Sequence, residues 1–84
     1  MLQPQSALRL AEIRAAVSNG EARRLRVAAD LSIGEVARAC GVDQSTVWRW
    51  EKGTRRPCGH GALQYAKLIA ELRRQILATR QESA

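Results

Sequence analysis

Residues 31–57 read LSIGEVARACGVDQSTVWRWEKGTRRP: two short stretches of helical periodicity parted by a single Gly41, then a basic segment that halts at Pro57. That pattern constrains the chain to two helices joined by a tight turn. Ser32 is placed to accept from the free N–H groups of a first helical turn, and Glu35 three residues on completes a Ser-x-x-Glu capping box, so a helix starts here. Val36, Ala37 and Cys40 recur at core-facing spacing until Gly41, the residue type that most readily takes the left-handed backbone ending a helix. Asp43 is positioned to cap a second helix running to residue 52. In it Val47 and Trp50 share one face, while Ser45, Trp48, Arg49 and Lys52 point away.

The flanking segments are helical in pattern too. Over 6–18, Leu10, Ile13 and Val17 fall at helical spacing with Leu8 and Ala11 alongside, and Asn19-Gly20 ends the segment as a turn. A helix over 21–29 turns Leu25, Ala28 and Ala29 inward. It carries Arg23 and Arg24 at its N-terminal end, where the helix dipole disfavours positive charge and calls for a compensating group outside the helix; a phosphate would serve. After a loop over 58–61, Leu63, Ala66, Ile69, Ala70, Leu72, Ile76 and Leu77 recur with helical period across 62–79. The stripe of Tyr65, Ile69, Leu72 and Ile76 reads as core, and beyond Leu72 little core is left to cover, so Ile76 and Leu77 are dimer candidates. The first helix is an addition with two roles open to it, packing over the core or dimer contact. No strand pattern is present.

Eighty-four residues bound the chain to one domain with one modest core, and with no Phe, two Trp and one Tyr that core is aliphatic. The net charge of +6 comes from twelve Arg and two Lys against eight acids. Arg is the side chain whose planar fork suits phosphates and guanine edges, and Arg23, Arg24, Arg49, Lys52, Arg55 and Arg56 cluster around the two-helix unit, which makes nucleic acid the leading partner over a merely solvated surface. No apolar run reaches membrane-spanning length and the first residues lack the order of a secretory signal, so a cytoplasmic location is expected. Cys40 on a core face and Cys58 in a loop read as reduced thiols. Cys58 and His60 lack the second pair a metal site needs, and no metal, cofactor or catalytic constellation is expected; the chain does not read as an enzyme.

Arg26, Leu31, Ser32, Ala37, Gly41, Val42, Ser45, Thr46, Val47, Trp50, Glu51, Gly53 and Pro57 stand at the spacing of the Cro/repressor (Xre-like) helix-turn-helix family, which the segment over about 21–72 resembles. Two positions depart from it: Ile33-Gly34 where the family has a phosphate-clamping Gln after Leu-Ser, and Asp30 where a turn Gly is usual. The resemblance implies an all-α, lambda-repressor-like domain of about five helices. Residues 1–20 would be an accessory helix, 21–72 the DNA-binding domain, and 73–84 a helical extension and tail.

The same resemblance puts the first turn of the second helix in the major groove of duplex DNA. Gln44 then reads adenine at two points, unless it only finishes the cap of its helix; Ser45 reads less selectively, and Arg49 reaches guanine or a phosphate. Trp48 on this face packs on sugar or a thymine methyl, or is covered by the first helix or a partner. Thr46, Lys52, Thr54, Arg55 and Arg56, with Arg23 and Arg24, are expected at phosphates. Glu51 is expected to pair with Arg26. A sequence-specific transcriptional regulator, a repressor acting as a homodimer, is the implied function. An antitoxin with an added protein partner and a phage excision factor are the alternatives, the latter disfavoured by the missing β-hairpin wing.

Overall fold

A computed structural model describes residues 2–83; Met1 and Ala84, the outermost residues of the two flanking segments, lie outside it. The described residues form five helices and no strand: α1 Pro4–Ser18, α2 Glu21–Ala28, α3 Ile33–Cys40, α4 Gln44–Lys52 and α5 Gly59–Ser83. α5 is the spine on which α1, α2 and α3 all pack, while α4 packs on α3 and α1 and reaches α5 by stacking Trp50 on Tyr65, ring centroids 5.0 Å apart.

Local chemistry accounts for the boundaries. Pro4 begins α1, where its missing N–H is no loss. The Ser32 and Glu35 side chains each accept from the other's backbone N–H, at 3.0 and 2.9 Å, so the expected capping box opens α3. Gly41 at φ +72° closes α3. Asp30 does adopt the left-handed turn conformation, at φ +59°, that a Gly would take more easily. Asp43 sits at the N-cap of α4 with extended backbone, yet its side chain makes no capping hydrogen bond, contrary to the role expected of it.

The core is aliphatic around the stacked pair: Leu10, Ile13, Ala16, Val17, Ala22, Leu25, Val36, Ala37, Cys40, Val47, Ala62, Ala66, Ile69 and Leu72 are buried. α1 spends its apolar face on this core, which settles one of its two open roles. Two expectations about facing fail. Leu8 and Ala11 are exposed, because at about 100° per residue Leu8 lies nearly opposite Leu10 around α1. Ala28 is exposed because α2 is short and its inward stripe is narrow, running through Ala22 and Leu25 to the half-buried Ala29. Ile76 packs against the core after all, since α5 runs alongside α2 to that point, whereas Leu77 beside it is 51% exposed. The helix expected from residue 62 begins at Gly59, so residues 59–61 of the expected loop are the first turn of α5 and Cys58 alone precedes it.

That early start requires Gly61. A Cβ built there would overlap Cγ1 of Val42, in the turn between α3 and α4, and would lie 3.5 Å from the Cys40 carbonyl oxygen. α5 thus approaches the turn more closely than a side chain allows.

Two ion pairs tie distant elements together. Arg26 Nε and Nη2 donate to the two carboxylate oxygens of Glu51 at 2.5 and 3.0 Å, joining α2 to α4, and Arg26 Nη1 donates to the Leu31 carbonyl at 2.9 Å. Glu51 holds the Arg26 guanidinium's pKa above its ordinary value. Arg73 grips Glu21 in the same two-point fashion, at 2.9 and 2.7 Å, joining α5 to α2 and lowering the Glu21 pKa.

Candidate nucleic-acid interface

With Val47 and Trp50 committed to the core, the opposite face of α4 presents Gln44, Ser45, Trp48, Arg49 and Lys52, all exposed and with no acid among them. The left-handed Gly53 ends the helix, its N–H reaching the Trp50 carbonyl at 3.1 Å, and the Thr54 N–H and hydroxyl both donate to the Arg49 carbonyl, at 3.1 and 3.3 Å. Thr54 is therefore occupied in closing α4. Arg55 and Arg56 follow, exposed, before the buried Pro57 returns the chain to the core.

Gln44 leans back toward α3. Its Oε1 lies 3.5 Å from where a Gly34 Cβ would be and its Cδ 3.7 Å, so the amide rests on the bare first turn of α3. A glycine in a helix gives up stability relative to alanine, and here it provides that resting place beside Ile33, where the resembled family has its clamping Gln. Trp48 is 48% exposed and not covered by α1; instead the Lys52 ammonium stands 5.6 Å from the centre of its ring. That pairing makes a mixed apolar and cationic patch one turn from Gln44.

Thr46 and Arg55 come together with Asp43, Trp50 and Cys58 around an open groove of about 480 Å³ beside the α3–α4 turn. Arg56 joins Arg55 at a second concavity of about 280 Å³, whose far wall is Arg14, Val17 and Ser18 of α1. Arg24 is brought to neither. It lines a groove between α2 and α5 with Glu21, Arg73, Leu77 and Arg80; its Nη1 donates to the Asn19 carbonyl at 3.3 Å and its charge helps lower the Glu21 pKa. Arg23 is exposed on α2.

Cys40 and Cys58 are both free thiols; burial pushes the Cys40 pKa up to about 11, which keeps it protonated at neutral pH. His60 contacts Gln64, 3.4 Å between nitrogens, and no metal-holding group of three side chains occurs among the described residues. No helix among them is long and apolar enough to cross a membrane.

Sequence reasoning missed three participants: Arg14, Gly34 and Gly61. Nothing in α1 marks Arg14 apart from its other polar residues, because its partner is the Pro57 carbonyl 43 positions away.

Two short helices around a glycine turn, an outward basic face on the second, and a third helix buttressing both are the layout of a helix-turn-helix protein, and residues 20–72 match the helix-turn-helix domain family. The chain belongs to that family. No curated protein and no solved structure matches it.

Proposed function

We propose that this protein is a sequence-specific, duplex-DNA-binding transcriptional regulator of the Cro/repressor (Xre-like) kind, a repressor that acts as a homodimer in the cytoplasm and catalyses no reaction. The observation that carries the reading is the division of α4: one face locked into the core by Val47 and Trp50, the other offering Gln44, Ser45, Trp48 and Arg49 to solvent without a single acid. α4 enters the major groove by this face. Thr46, Lys52, Arg55 and Arg56 lie alongside to meet phosphates, which fix register without reading sequence, while Thr54 holds the end of α4. Arg23 and Arg24 stand further off on α2 and add to the positive field that steers association. Residues 21–72 form the DNA-binding unit, with α1 and the end of α5 as additions, and the exposed Leu77 beside Ile76 marks the dimer face.

Selection of bound fragments from random duplex DNA, followed by binding of Gln44→Ala, tests the reading. Two similar half-sites should emerge. The Gln44 amide can bond adenine at two points, so its loss should weaken the selected site by ~1–3 kcal/mol and relax preference at one base pair per half-site, with non-specific affinity little changed. Enrichment of no sequence would overturn the proposal; equal weakening on every variant site would move base reading from Gln44 to Arg49 or Ser45.

A further inference from the structure

The loop after α4 is fastened at both ends. At its entrance Gly53 and Thr54 hold the carbonyls of Trp50 and Arg49. At its exit the Pro57 ring is buried and the Pro57 carbonyl accepts from Arg14 Nε of α1 at 2.9 Å. Between these points Arg55 and Arg56 carry no hydrogen bond and no ion pair among the described residues, and the concavity they share with Arg14 has no carboxylate in its wall. Three arginines line one concavity with no acid in its wall, and their summed positive field favours an entering anion.

We infer that α1 is part of the DNA-binding apparatus: Arg14 is a positioning residue that sets the exit of the basic loop, so that Arg55 and Arg56 are already arrayed for a backbone phosphate. The inference rests on the DNA-binding reading above. A loop held in its bound shape gives up less conformational freedom on association, so the hydrogen bond from Arg14 appears as affinity although the loop arginines make the contacts. It also gives the added helix a task beyond covering the core.

A double-mutant cycle on a generic duplex separates this role from a contact made by Arg14 itself. Arg14→Met keeps the aliphatic stem and removes the donor. It should lower affinity on the order of tenfold, the equilibrium equivalent of one charge-assisted hydrogen bond, when Arg55 and Arg56 are present. In the Arg55→Ala, Arg56→Ala background the same change should cost about twofold or less, within the range of independent sites. Equal losses in both backgrounds, or none in either, would overturn the inference. Amide relaxation without DNA supplies a second readout: Arg14→Met should lower the backbone order parameters of Arg55 and Arg56, and unchanged order parameters would also overturn it. Arg14→Leu, which also lacks a donor, carries the same cycle if the methionine variant melts below the assay temperature. If the unaltered protein binds no duplex, the underlying function fails and the DNA part of this inference falls with it, whereas the order parameters still report on the loop.

Discussion

Arg26 and Glu51 meet with side chains only 12% and 5% exposed, so the pair is largely withdrawn from water though not fully buried. Removing one partner of a buried pair strands the other. Glu51→Ala leaves Arg26 only the Leu31 carbonyl, and it should destabilise the fold by more than the ~1 kcal/mol of an exposed pair, approaching the ~3–5 kcal/mol of a buried one. Urea unfolding checks this; an unchanged midpoint would mean the pair does not bear on stability. Tyr65 poses the reverse case. Its ring is 1% exposed and stacked on Trp50, and its hydroxyl has no hydrogen-bond partner among the described residues, so burial drives the phenol pKa upward. Tyr65→Phe removes a buried polar group that nothing satisfies and keeps the stack. It should raise stability by ~1 kcal/mol or more, and a lowered melting temperature would refute this.

Among the elements, α3 and α4 were the most legible from sequence, because their signals are local: Ser32 and Glu35 lie within one turn of each other, and Gly41 and Gly53 supply left-handed stops. What could not be read lies in pairings between distant segments. Ala28 looked inward by period alone, and the segment 58–61 looked like a loop because its two glycines conceal that α5 begins there so as to touch the α3–α4 turn. Gln44 was legible as an exposed residue of α4, but its lean onto Gly34 was not, being a contact between two helices. The close approach at Gly61 yields a prediction of its own. Gly61→Ala gains helix propensity of up to ~1 kcal/mol, yet it pushes a Cβ into the stiff Val42 side chain, an overpacking that costs about 1–3 kcal/mol, so the variant should melt lower. Adding Val42→Ala should restore part of the loss. If the double variant is merely the sum of the singles, the contact is not the cause.

At the scale of the whole molecule, carboxylates set the response to acid. The pKa values of Glu21, bonded by Arg73, of Glu35, bonded by the Ser32 N–H, and of Glu71, bonded by Arg74, all lie below the ordinary 4.5. An acid whose folded pKa is depressed contributes stability above its unfolded value and loses that contribution as pH falls through the folded one. Stability should therefore stay level from neutral pH down to about 5 and decline below about 4.5, and Glu21→Gln should make that decline shallower; an identical acid profile for the variant would remove Glu21 from the account. The fastenings also carry a consequence in time. Arg14 to Pro57 and Glu21 to Arg73 span 43 and 52 positions, and α1 packs mainly on α5. At about 5–20 residues per second a ribosome takes roughly 2–10 s to add the intervening chain, so α1 emerges with its apolar stripe bare and waits for α5. The nascent chain cannot fasten the basic loop until Pro57 has been made, and the second clasp waits longer, for Arg73 of α5.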